Sequence, residues 1–239
     1  MIILVISDIH ANHVALDAVV QEPHDAVICL GDIVGYGPHP TPCVRWVRDH
    51  AGWTVQGNHD RAAAENIPPQ CRPDFEWLAD AVAPLTHSQL GPEDVMYLRG
   101  LPRWATRDID GIRVACFHAR PSDPLYGYMP PDRARWAREL ANVEADLVLV
   151  GHTHLPLDMT IDGKRLINPG SVGQPKDGDP RAAFAVLVNG IPRLKRVSYD
   201  VNKTIQDLAA SGTDPQAVDA LSELLITGHV PARPRPGSA

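Results

Sequence analysis

Short apolar strands that alternate with amphipathic helices constrain the fold of this chain more than any other feature of its sequence. The run Ile2–Ile6 is apolar and rich in β-branched residues, which predicts a strand buried on both faces. The same reasoning predicts a helix over 12–21, a strand over 26–30, a helix over 42–50 and a short strand over 53–55. This order of elements is typical of a parallel sheet with helices packed against it.

Antiparallel pairing is predicted in the second half of the chain. Asp110-Gly111, Asp162-Gly163 and Asn189-Gly190 are two-residue turn signals between apolar runs, and each indicates a β-hairpin. Further helices are predicted in the middle and at the end of the chain, with a break or kink at Pro84. The predicted strands cover 104–109, 112–118, 146–150, 157–161, 165–167, 182–188 and 193–198, and the predicted helices cover 74–90, 131–142, 202–210 and 215–226.

Together these elements predict an α/β (mixed α+β) protein in which two mixed sheets pack together with helices outside them. A chain of 239 residues is long enough for one large domain with a full core. We expect a single domain over 1–227 and a Pro-rich, disordered tail over 228–239.

Composition excludes several classes of structure and function. The 22 Lys and Arg against 29 Asp and Glu give a net charge of −7, which disfavours the binding of long nucleic acids. No apolar stretch is long enough for a membrane span, and the N-terminus lacks the basic segment of a signal peptide. The four cysteines form no C-x-x-C pair, so we expect neither structural zinc nor a disulfide framework, and we expect a cytoplasmic location.

Polar clusters follow five of the predicted strands, at the point where each strand ends. They consist of Asp, Asn and His residues and contain no cysteine. Ligands in α/β sheets bind beyond the carboxyl ends of strands, so we expect these clusters to meet at one site. The residues are Asp8 and His10, Asp32, Asn58 with His59 and Asp60, His118, and His152 with His154.

Each cluster alone has an ordinary explanation. A lone His118 is more often a satisfied polar residue than a metal ligand, and a Gly-Asn-His-Asp segment can be a capped turn. Five such clusters after strands instead indicate a polynuclear metal site. Their oxygen and imidazole donors suit Mn, Fe, Zn or Co better than copper(I) or calcium. Seven donors are too many for one tetrahedral ion but suit two ions that share a bridging carboxylate.

The order of these blocks resembles the signature of the calcineurin-like metallophosphoesterases. The blocks are D-x-H, G-D-x-x-G, G-N-H-D, an apolar run that ends in His, and G-H-T-H, and they extend here over residues 2–175. The stretches Gly31–Pro38 and Asn168–Pro175 are similar to a compact bacterial branch of small phosphodiesterases. The resemblance implies a four-layer αββα sandwich of two mixed β-sheets flanked by helices, and a metal-dependent phosphoesterase.

The resemblance also implies a role for each matching residue. Two divalent ions would be bound, manganese first among the candidates, with iron, zinc, nickel or cobalt as alternatives. The ligands of the first ion would be Asp8, His10 and His154, and those of the second Asn58, His118 and His152. Asp32 would bridge the ions, and a hydroxide between them would be the nucleophile. His59 would protonate the leaving oxygen as general acid, and Asn58 would also orient the phosphate.

Two positions depart from the family pattern. The phosphoprotein phosphatases of the superfamily carry an Asp-Arg pair where this chain has Gly35-Tyr36. In that pair the Asp orients the catalytic histidine and the Arg binds phosphate, so a protein phosphatase is disfavoured here. The partner that orients His59 stays open between Asp60 and a water. Arg120 follows the isolated ligand histidine and is either a phosphate contact or a solvated arginine. Asn12 is either the N-cap of the first helix or a further contact at the site.

We therefore expect an enzyme that hydrolyses phosphodiester bonds in a small phosphorylated substrate, with a nucleotide among the candidates. The alternatives are a protein or small-molecule phosphomonoesterase and a dinucleoside polyphosphate hydrolase. Outside enzymes, a non-catalytic metal-binding scaffold is a further alternative, although all seven ligand positions are present. The sequence predicts no membrane partner, and it leaves the physiological substrate, the native metal and the oligomeric state open.

Overall fold

Two five-stranded sheets form the centre of the structure, a computed structural model that describes residues 1–230. Residues 231–239, most of the predicted tail, lie outside the described residues. The strands are β1 (Ile2–Ile6), β2 (Ala26–Cys29), β3 (Trp53–Thr54), β4 (Trp104–Ile109), β5 (Ile112–Phe117), β6 (Leu147–Leu149), β7 (Leu157–Ile161), β8 (Lys164–Asn168), β9 (Ala182–Val188) and β10 (Ile191–Val197). The first sheet has the order β10-β9-β1-β2-β3, and the second has the order β4-β5-β6-β8-β7.

Eight helices in residues 1–230 accompany the sheets. They are α1 (His13–Val19), α2 (Pro40–His50), α3 (Asn58–Glu65), α4 (Pro73–Gln89), α5 (Pro92–Gly100), α6 (Arg133–Leu140), α7 (Val201–Ala210) and α8 (Pro215–Thr227). None of these helices combines the length and the apolar composition needed to cross a bilayer.

Both sheets are mixed, as the sequence predicts. In the first sheet β1, β2 and β3 are parallel, whereas β9 is antiparallel to β1 and to β10. In the second sheet β5, β6 and β8 are parallel, and β4 and β7 are antiparallel edge strands. The three predicted turns join β4 to β5, β7 to β8 and β9 to β10. Within each sheet the carboxyl ends of the parallel strands lie at one edge.

Successive side chains of a strand point to opposite faces of its sheet, so each central strand contributes to two separate layers of core. In β1, Ile3 and Val5 lie in the core between the two sheets, whereas Leu4 and Ile6 pack with apolar residues of α1 and α2. On the outer face of the second sheet, α6 packs through Trp136 against β5, β6 and β8. The order of layers is helix, sheet, sheet, helix, which confirms the expected αββα sandwich.

Helices α4 and α8 form an additional apolar cluster beside the loop that follows β2. Phe75 and Leu78 of α4 pack with Leu221 and Leu224 of α8. Tyr36, from the loop after β2, is buried in the same cluster. The C-terminal helix therefore helps to hold this loop in place.

Local details differ from the sequence-based expectation at four points. The Gly-Asn-His-Asp segment contains the first turn of α3, and the sequence pattern does not predict α5. Helix α4 continues through Pro84, because the burial of Leu78 and Val82 favours the helix by more than the one hydrogen bond that proline removes. Gly228, the first residue of the predicted tail, caps α8 with φ of 66° and accepts a hydrogen bond from Gly178 N at 2.9 Å.

The segment after β8 approaches the loop after β1 very closely. Gly173 N donates a hydrogen bond to Asp8 O at 3.1 Å. A Cβ atom at position 173 would lie 1.8 Å from Ile9 O, which is a severe overlap with backbone. Any side chain here would therefore force the two backbone segments apart.

We expect Gly173→Ala to lower the free energy of unfolding by about 2–3 kcal/mol, the upper part of the range for overpacked cores. Gly52→Ala is the matched control, since nothing lies within 4 Å of its Cβ position. It should change stability by less than about 0.5 kcal/mol. Urea unfolding measures both values, and equal stabilities of the two variants would contradict the close approach.

Candidate metal centre

The loops that follow β1, β2, β5 and β6 meet where the edges of the two sheets come together. Asp8 N donates to Gly31 O at 3.0 Å, and His10 N donates to Asp32 O at 2.9 Å, which joins the first two loops. The loops after β5 and β6 are joined by a hydrogen bond of 2.7 Å from Gly151 N to the carbonyl of His118. The His118 ring joins the two pairs of loops, since its Nδ1 lies 2.8 Å from Leu30 O, and His59 N joins the cluster after β3 by donating to Asp32 Oδ1. The polar clusters predicted from the sequence therefore lie together.

The backbone of these loops is unusual for residues other than glycine. Five of the seven candidate ligands have positive φ angles, a region that such residues rarely adopt. They are Asp8 (53°), His10 (47°), Asp32 (53°), His152 (66°) and His154 (60°). Conformations of this kind cost about 1–3 kcal/mol each and concentrate at functional sites, where the surrounding structure enforces them.

The first group of candidate ligands contains Asp8, His10 and His154, whose ligand atoms all lie within 4.8 Å of one another. Nε2 of His154 lies 3.3 Å from Asp8 Oδ1, and Nε2 of His10 lies 3.9 Å from the same oxygen. All three side chains are buried. The group matches the set of residues that the family resemblance assigns to one ion.

The second group contains Asp32, His118 and His152, again within 4.8 Å of one another. Nε2 of His118 lies 3.1 Å from Nδ1 of His152 and 3.1 Å from Oδ1 of Asn58. Nδ2 of Asn58 donates to Pro69 O at 2.9 Å, which turns Oδ1 towards the histidines. Asn58 therefore lies with this group, as the resemblance implies.

Asp32 lies between the two groups. Its Oδ2 is 3.7 Å from Nε2 of His10 in the first group and 3.3 Å from Nε2 of His118 in the second. Its Oδ1 accepts a hydrogen bond of 2.9 Å from the backbone N of His59, at the start of α3. This arrangement suits a carboxylate that bridges two cations.

Backbone carbonyls determine which ring nitrogen of each histidine is free. Nδ1 of His10, His118 and His154 lies within hydrogen-bond distance of Val34 O (3.2 Å), Leu30 O (2.8 Å) and Gln174 O (2.5 Å), respectively. Nδ1 therefore carries the proton and donates it, so in the neutral ring the Nε2 lone pair faces the centre. Nε2 of His10 and Nε2 of His154 are only 3.0 Å apart. Two nitrogen atoms that both carry lone pairs cannot hydrogen-bond to each other, whereas one cation can be bound by both lone pairs.

The orphaned oxygen of Asp8 gives a second test of whether a metal fits. Asp8 Oδ1 is buried and has no hydrogen-bond partner within residues 1–230. A buried carboxylate oxygen without a donor is costly unless a cation lies beside it. Together with the imidazole lone pairs, this oxygen shows that the residues present fit divalent metal ions.

Burial sets the protonation of the first group. It lowers the pKa of His10 and of His154, so both rings are neutral near pH 7. Burial raises the pKa of Asp8 and of Asp32, but neighbouring histidines outweigh it and hold both values below the usual range. For His118 burial lowers the pKa, but the charge and hydrogen bond of Asp32, the charge of Asp8 and the carbonyl of Leu30 together outweigh burial and raise the pKa to about 9. A metal bound by the second group would therefore displace a proton from His118.

Asp60 positions the bridging residue and does not orient His59. Its carboxylate accepts hydrogen bonds from the backbone N atoms of Asp32, Ile33, Val34 and Gly57, at 2.8–3.3 Å. Burial and the Asp32 charge raise the pKa of Asp60 to about 7, while the N–H donors oppose this shift. The candidate role of Asp60 as the partner of His59 is therefore wrong, because both of its oxygens hold the loop after β2.

The ring of His59 is held by aromatic contacts instead. Its centroid lies 4.6 Å from that of Tyr36 and 5.1 Å from that of His10. A Cβ atom at Gly35, where φ is +92°, would lie 2.7 Å from Nδ1 of His59. Gly35 therefore leaves room for the His59 ring, and Tyr36 packs against that ring. Burial lowers the pKa of His59 to about 4.

Two candidate substrate contacts are engaged elsewhere. Nη1 of Arg120 lies 3.6 Å from Glu139 of α6, and the Arg120 side chain packs across Gly127. The Asn12 amide caps α1 through Ala15 N, accepts from Thr204, and donates to Gly173 O and Tyr199. Since every polar atom of Asn12 is used within the protein, it is the helix cap and leaves no group for a substrate.

A cleft opens over the centre and contains cations that the sequence reasoning missed. The cavity between its walls is small, about 30 Å³, and the space around it that is open to solvent brings the total to about 340 Å³. The centre contributes Asp32, Asn58, His59, His152 and His154, and the walls are Tyr36, Cys71, Arg72, Phe75, Tyr128 and Lys176. Lys176 directly follows the family-like stretch Asn168–Pro175, which is the one sequence signal that could have identified it.

We expect Mn²⁺ to stabilise the folded chain, because the centre exists only when the loops are assembled. At 100 times its Kd the metal should add about 2.7 kcal/mol to the free energy of unfolding. Asp8→Asn should lose most of this gain and bind less manganese. Asp162→Asn, in the turn between β7 and β8, is the matched control because asparagine tolerates its φ of 49°.

Elemental analysis and thermal unfolding with and without Mn²⁺ measure both effects. If Asp8→Asn retains the metal content and the stabilisation of the wild type, Asp8 is not a ligand.

Comparison with known proteins agrees with this geometry. A model of the calcineurin-like phosphoesterase superfamily domain matches residues 1–189. An uncharacterised protein from Methanocaldococcus jannaschii is 34% identical over 231 residues, covering 86% of this chain and 91% of that protein. The crystal structure of a metallophosphoesterase from Sphaerobacter thermophilus superposes with a TM-score of 0.82 at 33% identity, covering 95% of this chain and 99% of that one.

A second solved structure supports the fold alone. A protein from Pyrococcus horikoshii OT3 superposes with a TM-score of 0.80 at 22% identity, over 92% of this chain and 97% of that one.

The family match spans 189 of the 239 residues and includes the loops that form the centre. This chain therefore belongs to the calcineurin-like phosphoesterase superfamily, and by that membership it is a metal-dependent phosphoester hydrolase.

Proposed function

We propose that the protein hydrolyses phosphodiester bonds of small phosphorylated substrates, nucleotides among them, with two divalent metal ions at the centre. The observation that carries this proposal is the position of Asp32, whose Oδ2 faces histidines of both ligand groups at 3.7 and 3.3 Å. Two ions that share Asp32 would supply a hydroxide for in-line attack at phosphorus and would stabilise the charge that develops there. Manganese is the metal we propose, since oxygen and imidazole donors suit it.

The residues of α3 would orient the substrate. Asn58 begins this helix, and its Nδ2 is held by Pro69 O, so its amide has one orientation. The first turn of a helix carries a partial positive charge, which favours a phosphate nearby. Asn58 and the adjacent His59 would therefore present a ligand and an acid to the same phosphate.

His59 is the proposed general acid for the leaving oxygen. Its ring lies in the cleft between Tyr36 and His10 and is neutral near pH 7 without substrate, because burial lowers its pKa to about 4. A bound phosphate adds negative charge beside the ring and raises this pKa, since a nearby anion favours the imidazolium. The acid would thus gain its proton when substrate is present.

The shape and charge of the cleft favour a small substrate. The cavity itself is only about 30 Å³ and opens to solvent, so a phosphate group would lie at its floor with the leaving group towards solvent. Tyr128 is 37% exposed, and its ring lies 6.0 Å from that of His152. Because Arg72 lies over one face of this ring, a base would stack on the other face. The chain's net charge of −7 argues against a long nucleic acid as substrate.

The proposed cellular location is the reducing cytoplasm. All four cysteines are unpaired in the described structure, and Cys29, Cys43 and Cys116 are buried. Unpaired buried thiols are usual in proteins from reducing compartments.

We expect Asp32→Asn and His59→Ala each to lower the turnover of bis(p-nitrophenyl) phosphate by at least about 100-fold, the usual contribution of one general acid. His87→Ala is the control, since this side chain of α4 is exposed, and it should keep the wild-type rate. Rates are measured with Mn²⁺ on purified variants. Near-normal turnover of either site variant would sink the mechanism.

A substrate panel separates the proposed activity from its alternatives. The panel contains phosphodiesters, cyclic nucleotides, dinucleoside polyphosphates, phosphomonoesters and phosphopeptides. We expect kcat/KM for diesters to exceed that for monoesters by at least about 10-fold, a difference of about 1.4 kcal/mol. A preference for monoesters would identify a phosphomonoesterase, and no turnover of any substrate by metal-loaded protein would favour the non-catalytic scaffold.

A further inference from the structure

Lys176 occupies the cleft above the candidate metal centre. It lies in the loop between β8 and β9 and lines the same cleft as His59 and His154. Burial lowers its pKa to about 8, so the ammonium form still predominates near pH 7. A partly buried cation therefore lies beside the place where a phosphate would bind.

The ammonium group of Lys176 lacks an anionic partner. Within residues 1–230 it has no carboxylate within 4.0 Å and makes no hydrogen bond, whereas each of the other three lysines of the chain makes at least one hydrogen bond. Lys195 pairs with Glu22, Lys203 pairs with Asp207, and Lys164 donates to two backbone carbonyls. Partial burial without a partner is unfavourable for a charge, so a ligand anion is the group that would satisfy it.

Aromatic rings hold the ammonium group over the cleft. Nζ lies 3.9 Å from the ring centroid of Phe75 and 5.9 Å from that of Tyr36. Such contacts attract a cation without neutralising it, so the charge stays available to an anion. Tyr36 also packs against His59, which places Lys176 and the proposed general acid on the same wall.

Arg72 is the other cation that lines the cleft, and it is already paired. It lies 3.1 Å from Asp74 and over the ring of Tyr128. Within the described chain, Lys176 is thus the cation of the cleft walls that makes no direct contact with a carboxylate.

We propose that Lys176 is a substrate-binding residue whose ammonium group pairs with a non-bridging oxygen of the substrate phosphate. This inference rests on the proposed function, because it takes a phosphate ester as the ligand of the cleft. Lys176, which directly follows the stretch Asn168–Pro175, would thus supply the phosphate-binding cation that is absent from the loop with Gly35 and Tyr36.

The test is the affinity of the Mn²⁺-loaded protein for inorganic phosphate, measured by calorimetry and as competitive inhibition of diester hydrolysis. Lys176→Met removes the charge at similar length and should raise the Kd and the inhibition constant by about 10-fold, the value of one charge-assisted hydrogen bond. Lys176→Arg restores a cation and should stay within about 3-fold of the wild type. Metal content and thermal stability should be the same in all three proteins.

Lys203→Met is the matched control, because Lys203 pairs with Asp207 on α7, and it should leave phosphate affinity unchanged. If Lys176→Met does not fold, Lys176→Gln replaces it in the comparison. Unchanged phosphate affinity in the charge-removing variant, or no phosphate binding by the wild type, would overturn the inference. If phosphate affinity depends on Lys176 but the wild type hydrolyses no ester, the proposed function fails and the binding role of Lys176 remains.

Discussion

Two buried carboxylates that face histidine ring nitrogens are the constraint around which this structure is organised. Asp8 and Asp32 lie where the edges of the two sheets meet, and both are ionised because neighbouring histidines hold their pKa values low. Taking such charges out of water is expensive unless cations or donors compensate. Asp8 Oδ1 has no donor in the described chain, so the folded protein presents this oxygen to a cation.

The surrounding fold holds this unfavourable cluster in place by several independent means. Asp60 accepts four backbone N–H groups and thereby secures the loop that carries Asp32. Gly173 allows the segment after β8 to lie against the loop after β1, where a Cβ would overlap Ile9 O. Five candidate ligands have positive φ angles. Strain of this kind persists only where packing enforces it, and the cores on both faces of the first sheet provide that packing.

The wall of the cleft differs from the pattern expected of phosphoprotein phosphatases. Gly35 leaves space for His59, and Tyr36 packs on its ring, so no carboxylate of this loop orients the histidine. The same tyrosine and Phe75 hold Lys176, a cation from a loop more than 100 residues further along the chain. The aromatic wall therefore connects the proposed acid with the proposed phosphate contact.

The sequence by itself predicts the strands, the hairpin turns, the mixed sheets and the blocks of Asp, Asn and His that end the strands. These features are local, since the spacing of apolar residues and the residue types of a turn can be read from a few adjacent positions. The roles of Asp60, Tyr36 and Lys176 depend instead on contacts between distant segments, as does the engagement of Arg120 with Glu139. Periodicity carries no information about which side chain an ammonium group or a carboxylate meets across a cleft. Those pairings were decided only when the two sheets and the α4–α8 cluster packed together, because burial and proximity determine them.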